Sequence, residues 1–132
     1  MEFSGQTIAG RYVIADLIGE GGMSMVFRAV GADGSMVAVK VLRESGMSRR
    51  IEDLIRFHAE ARIVAKISHP GIVALHEIGE LAAPVVAGQS VHFLVMEYIA
   101  GASLQDALDR GGTIDQKEII NIACQVCDAL AH

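Results

Sequence analysis

The chain has 132 residues, a formal net charge of −5, 52% hydrophobic residues and a mean hydropathy of +0.39. That length suits one small domain with one core, and the acidic balance argues against nucleic acid or an anionic membrane surface as main partner. Residues 1–10 lack the basic and apolar runs of a signal peptide, and His92 and Glu97 interrupt the best apolar run below bilayer-spanning length, so a cytoplasmic location is expected.

Residues 1–10 read as a polar lead-in and Val13 to Ile18 as a first strand. Then comes Ile18-Gly19-Glu20-Gly21-Gly22-Met23-Ser24-Met25-Val26, a Gly-x-Gly-x-x-Ser-x-Val pattern. Glycines let a turn take positive φ and let backbone approach a ligand with no Cβ in the way, and inward N–H groups in such a turn hold phosphate oxygens. A plain hairpin is the alternative. A dinucleotide fingerprint needs a helix directly after the glycines, but Met25 to Val30 is β-branched and apolar, followed by an Asp33-Gly34 hairpin signal and a strand to Leu42. No Gly-x-x-x-x-Gly-Lys-Ser/Thr follows, which excludes a Walker loop.

Alternation on the last of these strands puts Ala38, Lys40 and Leu42 on one face and Val37, Val39 and Val41 on the other. Lys40 then either snorkels from an edge or aims its ammonium at phosphates under the glycine turn. A small Ala38 beside it leaves room for a flat ring.

Arg43 to Arg50 reads as loop, with Ser48 a possible N-cap for a helix to about Ile67. Phe57, Glu60, Val64 and Ile67 fall on one helical stripe. Glu60 amid apolar neighbours calls for a cation and Lys40 for an anion, so a buried pair is expected. The alternative places Glu60 in water with Arg56 one turn away. His69-Pro70-Gly71 breaks the helix. A strand over Ile72 to Ile78, a loop over Leu81 to Ser90 and a strand over Val91 to Tyr98 bring the sheet to five. His58, His76 and His92 read as structural or surface residues.

Ser103 caps a short helix to Arg110 that Gly111-Gly112 ends, and Asp115 with Glu118 suggests a capping box for a second helix. Ile119, Ile122, Ala123, Val126, Ala129 and Leu130 give that helix a broad apolar face still in pattern at His132. The expectation is a sequence cut short within a larger fold, with an apolar face prone to self-association. Cys124 and Cys127, at helical i, i+3 spacing, read as ordinary buried small residues rather than a redox or zinc pair.

The ordered set resembles the amino-terminal lobe of protein kinases: glycine turn between strands, Val-Ala-Val-Lys, a helix with one embedded glutamate, His-Pro-Gly-Ile-Val, then Phe-Leu-Val-Met-Glu-Tyr. The Gly-Gly-Met-Ser wording looks most like the eukaryotic-like Ser/Thr kinases of bacteria. The resemblance implies an α+β fold with a five-stranded antiparallel sheet and one main helix. Residues 1–95 would be the N-lobe, 96–100 a hinge and 101–132 the start of the C-lobe. It implies ATP in the cleft, its phosphates covered by Gly19, Glu20, Gly21, Gly22, Met23 and Ser24, with Met25 also in the nucleotide site. Lys40 would contact the α- and β-phosphates and Glu60 would hold Lys40. Ile18, Val26 and Ala38 would sandwich the adenine, Met96 would be the gatekeeper, backbone of Glu97 and Ile99 would bind the adenine edge, and Tyr98 would look outward. Ser24 departs from the usual glycine but keeps a small residue at the loop tip.

The family's catalytic loop and its Mg2+-binding side chains lie beyond these residues. The resemblance therefore implies transfer of the ATP γ-phosphate to protein Ser or Thr hydroxyls by the full protein and none by this stretch alone. A pseudokinase-type nucleotide-binding or scaffolding module and a kinase-like small-molecule phosphotransferase are the alternatives.

Overall fold

The computed structural model describes residues 4–21, 24–42, 47–82 and 90–132. In chain order the elements are β1 (Thr7–Ile8), β2 (Tyr12–Glu20), β3 (Ser24–Val30), β4 (Met36–Leu42), α1 (Met47–Ala65), β5 (Leu75–Ala82), β6 (Ser90–Glu97), α2 (Leu104–Asp109) and α3 (Gln116–Leu130). Among the described residues the strands form one antiparallel sheet, ordered β1-β2-β3-β4-β6-β5. The α+β class matches expectation, with six strands in place of five.

The extra strand is β1, in the stretch that reads as polar lead-in. Two residues are too few for alternation to register, yet Ile8 is fully buried. A tight left-handed turn makes the pairing possible, with Ala9 at φ 55° and Gly10 at φ 68°. The Arg11 N–H donates to the Ile8 carbonyl at 3.1 Å, which sets Thr7 opposite Val13.

The period-two reading of β4 matches the packing. Val37, Val39 and Val41 join Ile8, Ile14, Phe27, Ala29, Phe93 and Val95 in the main core. The opposite face carries a second cluster, Leu94 from β6 against Phe57 and Ala61 of α1, flanked by Leu42, Leu75 and Met96. Arg11, just before β2, meets Glu77 of β5 at 2.6 Å. Three strands separate β2 from β5 in the sheet, so this contact requires a strong curl around the main core.

Element ends differ from the sequence reading for local reasons. The helix is already formed at Met47, so Ser48 lies inside α1 rather than at its N-cap. α1 stops at Ala65 and unwinds through short-range bonds, Lys66 N–H to Ile63 carbonyl and Ile67 N–H to Val64 carbonyl, at 3.3 and 3.2 Å. β5 starts at Leu75 rather than Ile72, because the Ile72 N–H is turned back to the His69 carbonyl at 3.1 Å. The expected 81–90 loop lies mostly outside the described residues, and Leu81 and Ala82 belong to β5.

Ser103 caps α2 in a complete capping box. Its hydroxyl accepts from the Asp106 N–H and its own N–H donates to Asp106 Oδ2, both at 3.0 Å. The backbone bond first, then the side-chain bond, hold the Asp106 carboxyl below its ordinary value. The box expected at Asp115 does not form: Asp115 is the N-cap of α3 but makes no side-chain cap bond. At the β3–β4 hairpin Gly34 takes φ 83°, as the Asp-Gly signal requires, and Asp33 accepts from the Ser35 hydroxyl and N–H.

Gly79 of β5 faces Phe93 of β6, and a Cβ there would stand 2.3 Å from the Phe93 Cζ. Phe93 is 2% exposed and cannot move without repacking the main core. Gly79→Ala is expected to destabilise the fold by about 1–3 kcal/mol, read as a lower denaturant midpoint. An unchanged midpoint would mean that the ring has room to shift.

Candidate functional site

The β2–β3 hairpin closes with the Gly21 N–H donating to the Ser24 carbonyl at 2.8 Å. Gly22 and Met23, which follow Gly21 in sequence, lie outside the described residues. Gly19 and Gly21 are not among the glycines with left-handed φ, which corrects the expectation that conformation demands them. A Cβ on Gly19 would make only ordinary contact, 3.9 Å from Val26 Cβ. What these glycines provide is backbone uncovered by side chains. Ser24 also differs from its expected place: it opens β3, pairs with Leu42 and is 6% exposed, so it is a strand residue rather than a loop tip.

Strand register assembles the rest. Val26 of β3, Lys40 of β4 and Leu94 of β6 stand side by side in one row, and Arg28, Ala38 and Met96 in the next. Directly opposed residues of an antiparallel pair project from the same face, so Val26, Ala38, Lys40 and Met96 share one surface. Ala38 is 7% exposed, a small flat position between larger neighbours. Ile18 occupies a bulge, the register slipping between Leu17 opposite Phe27 and Gly19 opposite Val26. It stands exposed at the margin.

At the end of β6 the chain is clamped. The Glu97 N–H donates to the Ala74 carbonyl at 2.8 Å, and Glu97 Oε2 accepts from the Ala74 N–H at 3.1 Å. With its N–H committed, Glu97 has only its carbonyl to offer a ligand. Tyr98 is half-buried and Ile99 exposed. Behind this segment is a hollow of about 350 Å³ bounded by Val64, Ile67, Pro70, Leu75 and Glu97.

Lys40 Nζ lies 3.3 Å from Glu60 Oε2. The partner of Glu60 is thus Lys40, 20 residues distant, rather than the neighbouring Arg56. The pair is not the buried one expected: the side chains are 24% and 49% exposed. The reason is rotational. Among the described side chains of α1 the buried ones are Phe57 and Ala61, and Glu60, about 100° round the helix from Ala61, sits at the rim of the apolar stripe. Such a pair contributes about 1 kcal/mol or less, too little to hold α1 alone.

Some features of this surface escape sequence reasoning. Arg28, beside Ala38, donates to Asp16 Oδ1 of β2 at 2.6 Å. Only the pairing of β2 with β3 could have revealed this. His58 and His92, expected as structural or surface residues, meet each other at 3.3 Å. His69 Nδ1 accepts from the Gly71 N–H at 2.9 Å and its Nε2 lies 3.1 Å from Asp128 Oδ2, joining the α1–β5 connection to α3. Cys124 and Cys127 are exposed rather than buried, since no residue of α3 is buried. Among the described residues no group of three or more His, Cys, Asp or Glu could hold a metal ion, and no helix is long and apolar enough to cross a membrane.

Comparison with known proteins covers nearly the whole chain. The family model described as "Protein kinase domain" matches residues 12–132. The serine/threonine-protein kinase PrkC of Bacillus subtilis is 35% identical over 130 residues, 97% of this chain and 19% of that protein. The serine/threonine-protein kinase PknA of Mycobacterium tuberculosis is 39% identical over 127 residues, 96% of this chain and 29% of its own length. PknB of Mycobacterium leprae, also a serine/threonine-protein kinase, is 38% identical over 127 residues, 93% and 19% respectively. The chain thus spans less than a third of each of these relatives.

Proposed function

The chain belongs to the protein kinase domain family, and on that premise we propose that it is the ATP-binding part of a serine/threonine protein kinase. The observation that carries this reading is the Lys40–Glu60 contact at 3.3 Å, made at the edge of the surface formed by Val26, Ala38 and Met96. A purine ring needs a flat apolar slot with a polar edge, and a polyphosphate needs a fixed cation and backbone donors. Val26 and Ala38, with Ile18 at the margin, form the slot. Met96 closes its back as gatekeeper, and the Glu97 carbonyl and Ile99 N–H form its polar edge. Gly19 to Ser24 would cover the phosphates with backbone N–H groups, with Met25 beside them, and Lys40 would meet the α- and β-phosphates. Glu60 keeps the Lys40 amine directed into the cleft. Residues 1–95 are read as the N-lobe, 96–100 as hinge and 101–132 as the first part of the C-lobe.

Phosphoryl transfer depends on positioning and charge neutralisation far more than on covalent chemistry by the protein. This chain supplies the cradle, the cation and its orienting carboxylate. Magnesium would supply further neutralisation of the phosphate charge. On this reading its ligands belong to residues outside this chain. The proton acceptor for the substrate hydroxyl also lies outside, so this chain alone is inactive on this reading. The intact protein would act on Ser or Thr side chains of proteins in the cytoplasm, as part of signalling by phosphorylation.

The test is incubation of the intact protein with γ-labelled ATP, magnesium and a generic protein substrate, followed by acid hydrolysis. Label on phosphoserine or phosphothreonine is the expected result. Saturable nucleotide binding without transfer would favour a pseudokinase module. Label on a small alcohol or amine in place of protein would favour a small-molecule phosphotransferase.

A further inference from the structure

Two histidines that the nucleotide site does not use lie next to its orienting helix. His58 of α1 and His92 of β6 approach through Nε2 and Nδ1 at 3.3 Å, with the rings edge to face, 5.2 Å apart and at 87°. The pair is partly buried, and the His58 ring also stands edge-on to the fully buried Phe57. His58 precedes Glu60 by two residues on one continuous helix. His92 precedes Leu94 by two residues on β6, and Leu94 is the strand neighbour of Lys40. The imidazole contact and the Lys40–Glu60 contact therefore join the same two bodies, helix and sheet, a short distance apart. Any swing of α1 that parts one strains the other.

We infer that His58 and His92 are positioning residues for Glu60, acting through an imidazole–imidazole hydrogen bond that holds α1 against the sheet and is lost when both rings take up a proton. This rests on the kinase reading of the site. A neutral imidazole has one donor and one acceptor nitrogen, and an imidazolium has two donors. With both rings neutral, or with one proton added, an N–H···N bond forms. A second proton leaves two donors and two positive charges facing each other, and the contact opens. Glu80 stands directly opposite His92 on β5. Arg62, one turn beyond His58, lines the same surface hollow, while β4 presents the apolar Leu42 on that face. The Lys40–Glu60 pair is half-exposed and too weak to retain α1 alone. With the two rings repelling each other, only the Phe57 packing and the half-exposed Lys40–Glu60 pair orient this part of α1, and Glu60 is less firmly directed at Lys40.

The experiment is the pH profile of kcat for the intact kinase at saturating ATP, compared with His92→Gln and His92→Phe. Gln offers both a donor and an acceptor and does not titrate, so it keeps one bond to His58 in either charge state. Between about pH 7.5 and 5.5 the native protein is expected to lose about fivefold or more in kcat, and H92Q about twofold or less. H92F, with no polar group, is expected to be low across the range. Equal acid loss in the native protein and H92Q would overturn the proposal. Should H92Q fail to fold, nitrogen-15 imidazole spectra of the native protein decide. Coupled titration of His58 and His92 supports the bond, and two independent simple titrations overturn it. Those spectra do not depend on turnover, so an inactive protein would count against the kinase reading while the histidine contact is still judged separately.

Discussion

Lys40→Met in the intact protein is expected to lower turnover by about a hundredfold or more with little change in thermal midpoint. The two effects separate because of where Lys40 sits. Its side chain is 24% exposed and meets Glu60 at 3.3 Å across the surface rather than inside either apolar cluster. Methionine keeps most of the volume against Leu94 and Val26 and removes only the charge. What disappears, on the proposed reading, is a fixed cation for the nucleotide phosphates, and no other described cation stands in that row of the sheet. Glu60→Gln should be milder, a loss of about tenfold, because Gln can still accept a hydrogen bond from the ammonium without attracting its charge. The check is kcat/KM for ATP beside a thermal melt on each variant. Native turnover in K40M would contradict the assigned role, and a large fall in midpoint would make it a packing residue.

Phe57→Ala should have the largest effect on stability, a loss of about 3–5 kcal/mol. Phe57 is fully buried and is the largest buried side chain described on α1, packed against Leu94 with Ala61 alongside. Alanine would leave a cavity that the rigid strands cannot collapse to fill. Polar ties between helix and sheet do not offset the loss, since the Lys40–Glu60 pair is half in water. Chemical denaturation measures the fall, and kinase turnover should drop with it as Glu60 loses its support. Ala61 is already small, so Leu94→Ala is the matched control from the β6 side and should give a similar fall. A change in F57A below about 1 kcal/mol would mean that α1 is held by something other than this ring.

Particular elements explain what could be read in advance. In β4 the alternation of valines with Ala38, Lys40 and Leu42 matched two distinct apolar environments, and period two translates directly into opposite faces. The Asp33-Gly34 turn and the Ser103 cap were legible because each is decided within four residues. The partnership of Lys40 with Glu60 was legible because two charges of opposite sign each stood among apolar neighbours. Its exposure was not. A helical stripe of i, i+3 and i+4 positions spans a wide arc, and Glu60 falls on its rim while Ala61 takes the centre. β1 escaped because two residues carry no period. Arg28 with Asp16, Arg11 with Glu77 and His58 with His92 escaped because each depends on strand register or on the docking of α1. The expected burial of Cys124 and Cys127 read helical spacing as a core face, whereas α3 keeps every residue at least partly exposed.

The central claim is that a nucleotide places its phosphates against Lys40. An acyl-phosphate derivative of ATP delivers its acyl group to whichever lysine amine lies beside the bound phosphates, and peptide mass spectrometry identifies that residue. In this chain the account predicts modification of Lys40, suppressed by excess ATP, with Lys66 and Lys117 left unmodified. Modification spread over all three of these lysines and indifferent to ATP would contradict it.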